Sequence, residues 1–265
     1  YYIIEPFIAG RKGSLFGIDL DLTPYRHIVL YIFSGLTLIT VLISLFAPAV
    51  GNFEKDLVAK GLSQAQTKMK LTRTNAENSQ ATSFGVNKGV VILGDSVALR
   101  SKDQIESSID NVAIDAVVSR NLSTINDLLK DYADSNALAK DVVIAGGVNE
   151  IDDYKGVINK MIKNLPKGHH IIFVTPYNGS KSGSKAVSLV QLRKYELEMA
   201  KKYDFVTVAD WYQVAKENIS IWNGTDGVHF GSDSDSINRG AKLYTNTIKE
   251  AIAKANQKPV KGGKK

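Results

Sequence analysis

"VVILGDSVALR", residues 90–100, opens on four consecutive apolar residues, breaks at Gly94, Asp95 and Ser96, and then resumes with helix-forming residues. A short run that is apolar at every position, rather than at every second one, reads as a strand buried on both faces, the situation of a parallel sheet. Gly, Asp and Ser are turn residues for backbone reasons of their own. The same break is also where a buried strand would hand an acid and a hydroxyl to its carboxyl end, and the hydroxyl could serve as a nucleophile.

The pattern repeats down the chain. Val- and Ile-rich runs fall at 89–93, 112–118, 141–146, 170–175 and 205–210, with amphipathic, helix-length segments near 97–109, 122–135, 152–165, 186–202 and 238–255 between and after them. In the last of these, Ala241, Tyr244, Ile248, Ala251, Ile252 and Ala255 share one face. Strands alternating with helices predict an α/β domain with a parallel sheet covered on both sides. Ligands of such sheets bind beyond the carboxyl ends of the strands. Gly94-Asp95-Ser96, Ser119-Arg120-Asn121, Gly146-Gly147-Val148-Asn149 and Pro176-Tyr177-Asn178 are all expected on that rim.

Upstream of the α/β region the chain changes character. Residues 28–50 carry no charged side chain, and "IVLYIFSGLTLITVLISLFAPAVG", 28–51, would reach roughly 36 Å as a helix against about 30 Å of bilayer hydrocarbon. A transmembrane helix is expected there; a signal peptide would begin earlier, follow a lysine cluster and be shorter. Residues 51–88, rich in Gln, Asn, Ser, Thr and Lys, read as a flexible linker. As a coil it would have a root-mean-square reach of roughly 31 to 37 Å.

Net charge is +6, yet residues 89–253 hold 19 basic and 21 acidic side chains. The basic excess belongs to 51–88 and to the C-terminal "KANQKPVKGGKK". No basic face interleaved with aromatics argues for nucleic acid. The last residues, 256–265, read as a basic, disordered tail, solvated or lying against an anionic wall or membrane. The absence of cysteine removes disulfides, thiolate nucleophiles and zinc–thiolate sites. No cofactor or metal is implied.

A serine hydroxyl becomes a nucleophile when an imidazole can take its proton and a carboxylate holds that imidazole in the right tautomer. The chain has four histidines. His27 adjoins the candidate span, and His169 and His170 open a strand after a Pro-Lys-Gly turn, where a structural role fits better. His229 remains, in "WNGTDGVHF" (222–230), with Asp226 three positions before it. Oxyanion donors are expected from the Ser96 backbone N–H, the Asn149 side-chain amide and the Ser119 backbone N–H. Asp95 reads as a cap of the helix after Ser96 and receives no proton-transfer role.

"GDSVAL", "GGVNE" and "DGVHF", in this order, resemble the successive blocks of SGNH hydrolases and esterases. The resemblance implies a flavodoxin-like three-layer sandwich over 89–255, with Ser96 as nucleophile, His229 as base, Asp226 as its orienting acid and Asn149 as oxyanion donor. Ser119 stands where that family usually has glycine. The front end, "YYIIEPFIAGRKG", resembles the closing helices of membrane acyltransferase 3 proteins, which makes residues 1–50 the tail of such a domain. Together the two halves look like a bacterial peptidoglycan O-acetyltransferase, of which this chain would be a fragment or truncated product.

That resemblance implies an acetyl-serine relay from a donor delivered by the absent acyltransferase 3 bundle to a glycan-strand N-acetylhexosamine, at its C6 hydroxyl. The catalytic domain would stand on the extracellular face of a bacterial cell membrane. Two other readings use the same rim: a membrane-tethered SGNH carbohydrate esterase that removes O-acetyl groups, and a non-catalytic wall-glycan-binding module.

Overall fold

The computed structural model describes residues 13–15, 18–20, 31, 34–40, 84–149, 153–180 and 184–263, in two units, 1–51 and 52–265. In the first unit, strand Gly13–Leu15 pairs antiparallel with Ile18–Leu20. Residues 34–40 are helical, with Leu36, Leu38 and Ile39 exposed. Most of the expected span at 28–50 and nearly all of the linker at 51–88 lie outside the described residues. Among those described, no helix is long and apolar enough to cross a membrane.

In the second unit, five strands form one parallel sheet: β1 (Val90–Gly94), β2 (Val112–Ala116), β3 (Asp141–Ala145), β4 (His170–Val174) and β5 (Val206–Ala209). Their spatial order is β2-β1-β3-β4-β5. β1 lies centrally, with Val90 beside Val112 on one flank and Asp141 on the other, and Gly94 beside Ala116 and Ala145. A strand flanked on both edges and covered on both faces has no solvent side, which is why its sequence lacks polar alternation.

The helices are α1 (Ser96–Arg100), α2 (Lys102–Ser108), α3 (Leu122–Asp134), α4 (Tyr154–Asn164), α5 (Ser184–Lys202), α6 (Trp211–Glu217) and α7 (Ser234–Ala255). On one face of the sheet, Val91, Leu93, Val142 and Ile144 pack with Leu129, Ile158 and Leu192 of α3, α4 and α5. On the other, Val90, Ile92 and Val143 meet α1, α2, α6 and α7. The result is the three-layer sandwich expected from the alternating pattern. Trp211, Phe230 and Tyr244 close that second core edge-on, with ring centroids 5.8 and 5.1 Å from Trp211. Such pairs add about 0.5–1.5 kcal/mol each beyond the area they bury.

Three local details differ from the sequence reading. The helix expected at 97–109 divides at Ser101, which is fully buried and whose hydroxyl donates to the Val97 carbonyl at 3.1 Å. A serine bonding back into the preceding turn competes with regular helix and bends the chain there. α7 starts at Ser234 rather than near 238, because Asp233 and Ser236 form a capping box. α6 was not anticipated at all.

The tail is corrected as well. Residues 256–263, expected to be disordered, return along the amino ends of the strands. Lys261 Nζ donates to the carbonyls of Ile162, Lys163 and Leu165 at 2.6–2.8 Å, and Lys258 Nζ to that of Val206 at 3.2 Å. The last carbonyls of a helix lack intrahelical partners and carry the negative end of its dipole, so a lysine is drawn there. Basic composition alone could not separate this role from solvation.

Candidate active site

At the carboxyl end of β1 the chain turns sharply into α1. Gly94 permits it: a Cβ there would sit 2.6 Å from Ala98 Cβ, so only glycine lets the helix come this close to the strand. The Asp95 N–H donates to the Ala145 carbonyl at 2.9 Å, extending the ladder one residue past the strand. Its carboxylate accepts from the Val97 N–H at 2.9 Å and caps α1, as the sequence suggested. Burial pushes the Asp95 carboxyl up to about 7, although helix N–H groups and Arg120 pull the other way.

Ser96, at the first position of α1, is 5% exposed, and its hydroxyl donates to His229 Nε2 at 2.7 Å. His229 Nδ1 in turn donates to Asp226 Oδ2 at 2.7 Å. Asp226 Oδ1 accepts the backbone N–H groups of Val228 and His229 at 2.9 and 2.8 Å, so the acid folds the turn that carries the base. Partial burial alone would raise the Asp226 carboxyl, but the backbone N–H of His229, its ring and the Val228 N–H outweigh it and hold the group below its usual range. An ionised carboxylate on Nδ1–H leaves Nε2 with its lone pair toward the serine, the tautomer that can accept a proton.

The base turn is braced from two sides. The Gly179 N–H, in the loop after β4, donates to the Gly227 carbonyl at 2.9 Å. From α1, Arg100 Nε and Nη2 donate to the carbonyls of Phe230 and Gly231 at 2.7 and 2.6 Å. Sequence reasoning passed over Arg100. Its one signal was a cation four residues after the serine in an otherwise buried run.

Of the expected oxyanion donors, Ser119 adopts φ +57°, the left-handed region where glycine is at ease, which matches its place at a position that resembling sequences give to glycine. Asn149 Nδ2 donates to the Arg120 carbonyl at 3.1 Å. The Arg120 guanidinium donates to the Gly94 carbonyl at 3.2 Å, the Asp115 carbonyl at 2.7 Å and Asp115 Oδ1 at 2.9 Å. Asn149, the Ser119–Arg120 turn and the end of β1 are therefore one connected network. His169 and His170 sit at the opposite ends of the strands: His169 pairs with the Ala139 carbonyl, and His170 lies between Asp141 and the Lys258 carbonyl. His27 lies outside the described residues.

A parallel five-stranded sandwich with a Ser–His–Asp chain on its carboxyl rim is the architecture of SGNH-type serine hydrolases. The comparisons narrow that class. The chain is similar to the C-terminal catalytic domain of peptidoglycan O-acetyltransferase A (OatA) of Streptococcus pneumoniae, solved with a methylsulfonyl adduct: 44% identity, 66% of this chain and 98% of that one, TM-score 0.65. The chain belongs to that family of peptidoglycan O-acetyltransferase catalytic domains. A lipolytic G-D-S-L family protein of Veillonella parvula shares the fold at 15% identity and a TM-score of 0.50, over 63% of this chain and 98% of its own. YrhL of Bacillus subtilis (strain 168), provisionally named a peptidoglycan O-acetyltransferase, is 28% identical over 165 residues, 62% of this chain. The chain spans 24% of YrhL's length. No family model matches the chain.

Proposed function

We propose that this domain is a serine-dependent O-acetyltransferase that accepts an acetyl group on Ser96 and delivers it to a sugar hydroxyl of cell-wall peptidoglycan. The observation that carries the reading is the hydrogen-bonded chain from Ser96 through His229 to Asp226, at 2.7 Å for both links, in a domain 44% identical to the OatA catalytic domain.

The chemistry divides into two proton-balanced halves. In the first, His229 Nε2 takes the Ser96 proton as Oγ attacks the donor's acetyl carbonyl. The resulting oxyanion is received by the backbone N–H groups of Ser96 and Ser119 and by the Asn149 amide hydrogen not committed to Arg120. His229 returns its proton to the leaving group, which leaves acetyl-Ser96. In the second half, His229 deprotonates the incoming sugar hydroxyl, the C6 hydroxyl of an N-acetylhexosamine, which attacks the acetyl carbonyl. Collapse expels Ser96 Oγ, which recovers its proton from His229. Asp226 stays ionised throughout and stabilises the imidazolium in both halves.

The donor side belongs to the membrane. An uncharged segment over 28–50, with Leu36, Leu38 and Ile39 exposed within it, supports a single span that tethers the domain to the outer face of a bacterial membrane. An acyltransferase 3 bundle would relay the acetyl group to it.

The test uses the full chain with 4-nitrophenyl acetate as donor and a chitooligosaccharide in excess as acceptor. Acetylated oligosaccharide with wild-type protein, and none with Ser96→Ala, is expected. Hydrolysis without transferred product would make the domain an esterase. Binding of the oligosaccharide without either reaction would make it a glycan-binding module.

A further inference from the structure

Helix α1 is five residues long, and both of its ends touch the base segment. At its amino end the Ser96 hydroxyl meets His229 Nε2; at its carboxyl end Arg100 grips the two carbonyls that follow His229, at 2.7 and 2.6 Å. Arg100 is 8% exposed, and its guanidinium lies 5.8 Å from the centre of the Phe230 ring. The gripped segment has little freedom elsewhere. Phe230 is fully buried, the Gly231 N–H donates to the Ile221 carbonyl at 2.7 Å, and Gly231 takes φ +79°, where a Cβ would collide with the Ile237 backbone N.

A guanidinium is a planar, pre-organised fork, and two of its donors on adjacent carbonyls fix both the position and the rotation of the peptide between them. We infer that Arg100 is a positioning residue for the transfer reaction: it ties the backbone after His229 to the helix that presents Ser96, so that the nucleophile-to-base distance is set within one short helix instead of across the sheet. Lysine could reach only as a single-point donor and would leave the rotation unset. The inference rests on the Ser96–His229 reading proposed above, and its test separates the two.

With the full chain, kcat and KM for 4-nitrophenyl acetate, the rate of Ser96 labelling by a fluorophosphonate and the thermal midpoint are measured for Arg100→Lys, Arg100→Met, His229→Ala and the doubles with His229→Ala. Arg100→Met is expected to lower kcat and labelling about 30- to 100-fold, with KM within about twofold, as befits a displaced base. Arg100→Lys should fall between, at about 5- to 10-fold. On the His229→Ala background either Arg100 change should cost less than about twofold, because its effect passes through the imidazole.

Full losses that multiply in the doubles would overturn the inference, as would a kcat per folded molecule that Arg100→Met leaves intact. Should Arg100→Met fail to fold, Arg100→Lys and its double with His229→Ala give the same decision. Turnover that survives Ser96→Ala would instead remove the serine reading itself, before Arg100 enters.

Discussion

Asp95 and Asp226 stand on one rim in opposite environments. Asp95 is sealed beneath the turn and lifted to about 7, whereas Asp226 is held below its usual range by the turn it folds. For a carboxyl whose folded value exceeds its unfolded one, the folded state binds the extra proton. Between about pH 4 and 7, stability therefore falls as pH rises, by up to about 1.4 kcal/mol per unit from Asp95. Glu196 on α5, buried and raised well above its ordinary value by desolvation and by Asp210, adds to the same slope. Asp95→Asn keeps an N-cap side chain and removes the charge. Urea unfolding should show it more stable than wild type at pH 8 and no more stable near pH 4.5. Asp226 has the opposite sign: its contribution is in place above the ordinary carboxylate range and is lost only as pH falls through its lowered folded value. Asp226→Asn should reduce kcat by about a thousandfold or more with the fold intact, since the imidazole then loses its tautomeric anchor. Sequence could name both acids, but burial, which separates them, is a tertiary quantity. Ser119 is a second such case: sequence placed it where the resembling family has glycine, but its left-handed backbone, φ +57°, is seen only in the fold. Ser119→Gly should raise the thermal midpoint slightly, because relief of about 1–2 kcal/mol at φ +57° outweighs the added chain entropy of about 0.5–1.

Among the elements, those buried on both sides were the most legible. Every apolar run from Val90 to Ala209 became a strand within a few residues of its expected ends, because Val- and Ile-rich runs this short are too brief for a buried helix and suit a covered parallel strand. Elements whose limits depend on side-chain bonds were less so. "GSDSDSI", 231–237, precedes the helix expected from about 238, yet Asp233 accepts the Ser236 N–H at 2.9 Å and begins α7. Asp233→Ala should lower the midpoint of chemical denaturation, as loss of an N-cap does, with kcat changed little. α6 escaped because seven residues are too few for a helical period to stand out, and its burial depends on Trp211 meeting Phe230 and Tyr244 from distant parts of the chain.

Across the whole molecule, charge was the least reliable guide. The basic C-terminal residues looked detached, but 256–263 bind beneath the sheet, where Lys261 gathers three carbonyls beyond and within the last turn of α4 and pairs through its backbone with Gly168 and His169. A chain ended after Ala255 should melt several degrees lower than the full chain, with kcat per folded molecule preserved, because the loss falls at the end of the strands opposite Ser96. A lower kcat at a temperature where the shortened chain is fully folded would contradict that separation.

Ser96 and His229 are 133 positions apart. The serine belongs to the first strand–helix unit of the domain, and its base arrives only with the segment leading into the last helix. A growing or partly refolded chain therefore displays a serine without a partner for most of its assembly, and turnover begins only when the final elements dock. Recovery of ester cleavage after dilution from urea would then report completion of the whole sheet, and should lag behind the return of helical circular dichroism.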